Sequence, residues 1–124
     1  MNTEVEPLFS QVATFVEDLI LDGSLNPGDR APSTNELATF HEINPATARK
    51  GIAMLVDANF LETRRGIGTF VTDGAREAIL MERRHHFAAH FVAPLIDEAL
   101  RLGYTRDSLN GLMSRVAESR GMYG

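Results

Sequence analysis

The strongest constraint on the fold is the stretch from Asn44 to Phe60, which specifies both the start of a helix and one buried face. The side-chain oxygen of Asn44 can cap the helix, and Pro45 fits the first helical position, where no backbone N–H is needed. Apolar side chains then recur at helical spacing on one side, at Ala48, Ile52, Leu55 and Val56. We therefore expect a helix that packs with one face and leaves the other free.

The free face of this helix carries two adjacent cations, Arg49 and Lys50, beside the small residues Ala46 and Ala53. A helix of this shape can enter a DNA groove and contact phosphates. Ordinary solvated charges on an amphipathic helix explain the same pattern, so this segment alone leaves both interpretations open.

The residues before this helix predict a second helix at a steep angle to it. Ser33 and Glu36 have the spacing of a capping box ahead of an apolar run, which predicts a short helix from about Thr34 to Phe40. Only the three residues 41–43 link it to the cap at Asn44, which is enough for a tight turn. The pattern is that of a helix-turn-helix.

The residues after the helix predict a β-hairpin. Two β-prone runs between Phe60 and Val71 flank a turn that holds two cations and two glycines, namely Arg64, Arg65, Gly66 and Gly68. The glycines allow the positive φ of a tight turn, and they also let the backbone approach a minor groove closely. We expect a two-stranded wing with a basic tip.

Four motifs in this order resemble the winged-helix N-terminal domain of GntR-type transcriptional regulators: Leu25–Ser33, Glu36–Ala38, Asn44–Arg49 and Arg65–Val71. The Asn-Pro-x-Thr opening of the recognition helix and the short tail are most similar to the YtrA-like subfamily. The resemblance implies a mainly α fold with a small β-wing, in which residues 1–74 form a winged helix-turn-helix DNA-binding domain and residues 75–124 a helical tail.

The resemblance also implies roles for single residues. Arg30 is expected to border the DNA, whereas Asn35 stands where the family usually has an arginine and so lacks the charge and the bidentate fork. Thr47 is expected to meet a phosphate or a thymine methyl group, although local hydrogen bonding explains it too. The predicted DNA-binding residues are Arg30, Ser33, Asn35, Asn44, Ala46, Thr47, Arg49, Lys50, Arg64, Arg65, Gly66, Gly68 and Thr69.

The net charge of −5 argues against simple attraction to DNA, because phosphate binding is driven by Lys and Arg. The first 74 residues hold 5 basic and 11 acidic side chains. Four of those five cations nevertheless lie on the two elements predicted to touch DNA, and distant exposed charges are largely screened. The acidity keeps one alternative open, a winged-helix module that docks protein without binding specific DNA.

From Ala75 onward the sequence predicts a long helix to about Leu102, kinked at Pro94, and a shorter helix capped by Thr105 that ends near Glu118. Two helices cannot bury their apolar stripes alone, whereas two such pairs can form a four-helix cluster. We therefore expect a homodimer, although the tail could instead fold back on its own winged domain. The predicted dimerisation residues are Leu80, Phe87, Phe91, Leu95, Leu102, Leu109, Leu112, Met113 and Val116, with Ala99 on the same stripe.

Other chemistry has little support in the sequence. Glu82, His86 and His90 lie four residues apart beside His85 and could bind a divalent metal or sense pH, but solvated histidines explain the pattern more simply. Gly66-Ile67-Gly68 lacks the third glycine of a dinucleotide site, and no nucleophile–base pair is evident. We predict a protein that is not an enzyme and has no cofactor.

The sequence has no cysteine, no apolar run long enough to span a membrane and no export signal, which predicts a cytoplasmic protein without membrane association. The full interpretation is a homodimeric transcriptional repressor that binds an inverted-repeat operator in double-stranded DNA. A small-molecule effector is expected to release it by binding the tail near Pro94.

Overall fold

A computed structural model describes residues 7–124, so residues 1–6 of the predicted DNA-binding domain lie outside it. Two compact units divide between Glu82 and Arg83. No helix within residues 7–124 is long and apolar enough to cross a membrane. In chain order the elements are α1 Leu8–Leu21, α2 Thr34–His41, α3 Pro45–Asp57, β1 Leu61–Arg64, β2 Gly68–Val71, α4 Ala75–Phe87, a π-helical segment Ala88–Val92, α5 Ala93–Arg101 and α6 Arg106–Ser119.

The first unit contains the predicted helix-turn-helix and wing, which confirms the expected fold class. The turn between α2 and α3 closes when the N–H of Ile43 donates to the carbonyl of Ala38 at 3.0 Å. Glu42 takes a left-handed conformation there, with φ 54°. Because the turn is this short, α2 and α3 stay packed on each other.

The core of the first unit lies where the three N-terminal helices meet the wing. Its largest fully buried side chains are Val12, Val16, Ile20, Leu37, Leu55, Leu61, Val71 and Ile79. Ile79 belongs to α4, and Arg76 of the same helix donates from Nε to the carbonyl of Leu21 at 3.1 Å. Core contacts of this unit therefore continue past residue 74, and the domain division itself stays a prediction.

The segment before α2 pairs with strand β2 of the wing over a short stretch. Arg30 forms an isolated antiparallel bridge with Phe70. The N–H of Ala31 donates to the carbonyl of Thr69 at 2.9 Å, so the backbone pairing extends to Ala31. This pairing fixes Arg30 beside the hairpin.

The second unit corrects the predicted long helix. α4 ends at Phe87, and a π-helical segment precedes α5, so the interruption begins six residues before Pro94. The N–H of Ala93 bonds to the carbonyl of Ala88, five residues back. Proline lacks an N–H and its ring clashes with the carbonyl four residues earlier in a regular α-helix, and the wider π-helical turn before Pro94 accommodates that ring.

α6 begins and ends close to its expected positions. The hydroxyl of Thr105 caps the helix by accepting a hydrogen bond from the N–H of Ser108 at 3.1 Å. Within the second unit, the predicted dimerisation side chains are exposed or partly buried in the single chain. Those classed as exposed are Phe87, Phe91, Leu95, Leu102, Met113 and Val116.

Candidate nucleic-acid interface

The first turn of α3 is built as the sequence predicts. Asn44 Oδ1 accepts a hydrogen bond from the N–H of Ala46 at 2.7 Å, and Pro45 occupies the first helical position. Ala48, Ile52 and Leu55 are buried. The opposite face is exposed at Ala46, Arg49, Lys50 and Ala53, with Thr47 half-buried at its edge.

The two cations on this face differ in their surroundings. Lys50 Nζ lies 4.0 Å from the ring centroid of Phe9, so its ammonium group is held over α1. Arg49 is exposed and makes no ion pair, hydrogen bond or ring contact with the rest of the described chain. Arg49 is therefore the cation on α3 whose side chain is free to meet a ligand.

The wing is a regular antiparallel hairpin in which Thr63 pairs with Thr69 and Arg64 with Gly68. Its tip closes through the N–H of Ile67, which donates to the carbonyl of Arg64 at 2.9 Å. Gly66 has φ 76° there, a conformation that favours glycine. The prediction that glycine here allows the positive φ of a tight turn is confirmed for Gly66.

The two wing arginines are not equivalent. Arg64 Nη2 lies 3.2 Å from Glu62 Oε1, and its guanidinium carbon lies 4.1 Å from the ring centroid of Phe70. Arg65 is exposed and has no partner within residues 7–124. The free positive charge at the wing tip therefore belongs to Arg65.

Gly68 allows Arg30 to lie across the wing. Its φ is 146°, and a Cβ at this position would come within 2.8 Å of Arg30 Nε. Any side chain at Gly68 would therefore be strained and would also push Arg30 out of place. The glycine positions a cation as well as forming the turn.

The N-terminus of α2 carries the predicted capping box. Ser33 Oγ accepts from the N–H of Glu36 at 3.1 Å, and the N–H of Ser33 donates to Glu36 Oε1 at 2.9 Å. The backbone N–H of Ser33, then its hydroxyl and finally the charge of Arg30 lower the pKa of Glu36 from its ordinary value. The Ser33 side chain thus caps its own helix, while Asn35, two residues further along in the first turn, is exposed.

An open cleft of about 320 Å³ lies between the start of α2 and the wing. It brings together six of the predicted residues: Arg30, Ser33, Arg64, Gly66, Gly68 and Thr69. It is also lined by Thr34, Thr63 and Ile67, which are not among the predicted DNA-binding residues. The hairpin register would have identified Thr63, because it pairs with Thr69 and so shares its face.

The possible metal set is not assembled. No group of three or more histidine, aspartate or glutamate side chains in residues 7–124 could hold a metal ion. The interpretation of Glu82, His86 and His90 as three ligands is therefore wrong. Glu82 also ends the first compact unit, whereas both histidines belong to the second.

A helix-turn-helix followed by a glycine-tipped hairpin, with exposed arginines on α3 and on the wing, defines the winged-helix class of nucleic-acid-binding folds. The sequence profile of the bacterial regulatory proteins of the gntR family matches residues 8–71. The chain is 35% identical over 111 residues to the HTH-type transcriptional repressor YtrA of Bacillus subtilis (strain 168), an alignment that covers 90% of this chain and 85% of YtrA. The chain therefore belongs to the gntR family of bacterial transcriptional regulators, and its resemblance to YtrA is confirmed.

Solved structures agree with this assignment. A GntR family transcriptional regulator from Listeria monocytogenes aligns with a TM-score of 0.71 and 25% identity, covering 92% of this chain and 98% of that one. The DNA-binding domain of AraR in complex with its operator ORX1 aligns with a TM-score of 0.55 and 30% identity, covering 58% of this chain and 87% of that domain. YtrA and the Listeria monocytogenes protein are both transcriptional regulators. The DNA contacts of the individual predicted residues stay predictions.

Proposed function

We propose that this protein is a homodimeric repressor that binds an inverted-repeat operator in double-stranded DNA. The observation that carries the proposal is the position of two arginines that have no partner within residues 7–124, Arg49 on α3 and Arg65 at the wing tip. Both belong to elements that contact DNA in winged-helix proteins, and a free guanidinium group binds phosphate through strong charge-assisted hydrogen bonds.

In this proposal α3 enters a major groove and the wing reaches into the neighbouring minor groove. Asn44, Ala46 and Thr47 approach base edges and phosphates at the start of α3, with Arg49 beside them. Arg30 meets a phosphate at the cleft, while Lys50 must leave the Phe9 ring to do the same. The AraR domain, which shares this fold, was solved with operator DNA, and that supports double-stranded DNA as the ligand.

The second unit supports the dimer. A groove of about 490 Å³ between α5 and α6 has an almost entirely apolar lining. Six predicted dimerisation residues line it: Leu95, Leu102, Leu109, Leu112, Met113 and Val116. Burying these side chains against a second copy removes apolar surface from water, which stabilises association. A two-fold dimer matches an inverted repeat, with half-sites about 34 Å apart.

The last part of the proposal is that a small-molecule effector releases the protein from DNA. Residues 1–74 bind the DNA, and residues 75–124 form the dimer and bind the effector. The π-helical segment Ala88–Val92 supports it, because such segments are frequent at functional sites. An effector bound near Pro94 would shift the dimer between two geometries that hold the DNA-binding units at different spacings. Calorimetry would contradict this part if compounds that release the operator bound the isolated winged unit alone.

The experiment that tests the core of the proposal is selection of bound sequences from a random duplex pool at near-physiological salt. The complexes are sized to count the chains in each, and an Arg49→Ala/Arg65→Ala double variant serves as the control. Enrichment of an inverted repeat that holds two chains, lost in the double variant, is the expected result. If folded, dimeric protein enriches no sequence at physiological or low salt, the proposal is wrong, and protein docking through the acidic winged unit is favoured.

A further inference from the structure

The helical connection in the second unit carries a cluster of imidazoles that DNA binding does not use. His85 and His86 lie in the last turn of α4, and His90 lies in the π-helical segment that follows. All three are exposed, so an ion or molecule can reach them from solvent. We propose that His86 and His90 chelate a divalent transition metal ion that prefers imidazole, such as Zn²⁺.

The distance between the two rings fits this role. The ring centroids of His86 and His90 are 5.4 Å apart. Two imidazoles that bind one tetrahedral Zn²⁺ through Nε2 have centroids roughly 5.3 Å apart, as follows from Zn–N bonds of about 2.1 Å. The spacing that chelation needs is therefore already present in the free chain.

A hydrogen bond to the backbone holds the ring of His90 in a fixed orientation. His90 Nδ1 lies 3.1 Å from the carbonyl oxygen of His86, so Nδ1 carries the proton and donates it. This leaves the lone pair of His90 on Nε2. Histidines that bind metals almost always donate the other ring N–H to a carbonyl or carboxylate, which fixes the tautomer and the ring orientation.

The ring of the neighbouring His85 is not held in this way within the described residues. Its ring centroid lies 5.0 Å from that of His86, so distance alone does not separate the two pairs. Neither ring nitrogen of His85 makes a hydrogen bond within residues 7–124, whereas Nδ1 of His90 donates to the backbone. His85 therefore provides a matched control on the same turn of the same helix.

The ligand set determines which ion binds. No third side chain of the described chain joins the pair, so water completes the coordination sphere. Two neutral nitrogens favour Zn²⁺, Ni²⁺ or Cu²⁺ over Mg²⁺ and Ca²⁺, which prefer oxygen ligands. A bound ion would tie the last turn of α4 to the π-helical segment beside Phe87 and Phe91, the exposed side chains of the proposed dimer face.

The test is a calorimetric titration of the untagged full chain with Zn²⁺, because a polyhistidine tag would bind the metal itself. We expect one ion per chain, and more than about tenfold weaker binding in His86→Gln and in His90→Gln. His85→Gln should bind Zn²⁺ like the unmodified chain. Electron paramagnetic resonance of the Cu²⁺ form should show hyperfine coupling to two nitrogens, and to fewer in each single variant of the pair.

Three results would overturn the inference. His85→Gln could weaken Zn²⁺ binding as much as His90→Gln, neither variant of the pair could change it, or one ion could be shared by two chains through four nitrogens. Circular dichroism of each variant checks that the helices persist. Since the readout is metal binding, the inference can fail while the proposed operator binding holds, and the reverse is equally possible.

Discussion

A Cβ on Gly51 of α3 would lie 2.7 Å from the carbonyl oxygen of Phe9 in α1. Real Cβ atoms essentially never come this close to a carbonyl oxygen, so the two helices approach each other as only a glycine permits. The same Cβ would also meet the side chain of Val12 at 3.0 Å. The angle at which α3 presents its free face therefore depends on a residue with no side chain.

Gly51→Ala should destabilise the winged unit, although alanine is the better helix former by about 1 kcal/mol. Overpacking against a backbone atom that cannot rotate away costs about 1–3 kcal/mol, so the steric term outweighs the helix propensity. Thermal and denaturant unfolding measure the difference. Gly111→Ala in α6 is the control: its Cβ would meet only Arg115 Nη1 at 3.6 Å, so we expect a gain instead. Equal effects of the two substitutions would contradict the close crossing.

The capping box at α2 makes a prediction about pH. Ser33 lowers the pKa of Glu36 from its ordinary value of 4.5, chiefly because its backbone N–H donates a hydrogen bond to the Glu36 carboxylate. A carboxyl whose folded pKa is lowered contributes stability above its unfolded pKa and loses that contribution as the pH falls through the folded value. Glu36→Gln should therefore be less stable than the unmodified protein at neutral pH. The gap should close below pH 4.5.

Melting temperatures of both proteins from neutral to acidic pH measure this gap. Hydrogen bonds from Ser24 also lower the pKa of Asp22. Both proteins contain Asp22, so its contribution cancels when their melting temperatures are compared at the same pH. Ser33→Ala provides the second half of the test, because loss of an N-cap costs about 1 kcal/mol at any pH where the helix is folded. A gap that stays constant down to acidic pH would mean that the charge of Glu36 does not matter.

Replacing Arg49 or Arg65 with Ala should weaken operator binding and flatten its salt dependence. Each lost phosphate contact lowers the slope of log K against log salt by about 0.9, or about 1.8 for a dimer. Both side chains are exposed and unpaired in the described chain, so the melting temperature should not change. Binding isotherms at several salt concentrations give the slope, and unchanged slopes in both variants would favour the protein-docking alternative.

Arg64→Ala should behave differently from Arg65→Ala, although the two residues are adjacent. Arg64 lies over the Phe70 ring, a contact worth about 0.5–1 kcal/mol at an exposed site. Arg64→Ala should therefore lower the free energy of unfolding by about this amount, and Arg65→Ala should leave it unchanged. Chemical denaturation of the two variants measures the contrast, which disappears if the Arg64 side chain is mobile in solution.

Phe91→Glu should dissociate the proposed dimer. Phe91 is 67% exposed in the single chain, and its ring lies 5.8 Å from that of Phe87. Two buried phenylalanines lost per dimer cost about 3 kcal/mol or more, which raises the dissociation constant by at least about 100-fold. Sedimentation equilibrium measures it. Ala89→Glu, two residues away on the opposite side, is the control, and equal effects of both substitutions would place the dimer face elsewhere.

Local patterns in the sequence predicted most of the first unit. The caps at Ser33 and Asn44, the three-residue turn and the glycines of the wing are signals whose effects act over a few residues, so they can be identified without a fold. The interruption of the long helix was predicted at Pro94, but it begins at Ala88. Proline disrupts the regular α-helical hydrogen bonding of the turn before it. The sequence does not specify whether the helix then kinks or widens into a π-helical turn.

The sequence by itself determined the order of the helices and strands of the first unit and the buried face of α3, and it predicted a set of cations that meet DNA. Only the tertiary structure decided which of those cations are free. Lys50 lies over Phe9 of another helix, and Arg64 over a ring of the opposite strand, while Arg49 and Arg65 have no such neighbour in the described chain. Capping and helical periodicity depend on neighbours along the chain, whereas the pairing of a long flexible side chain depends on what packing brings beside it.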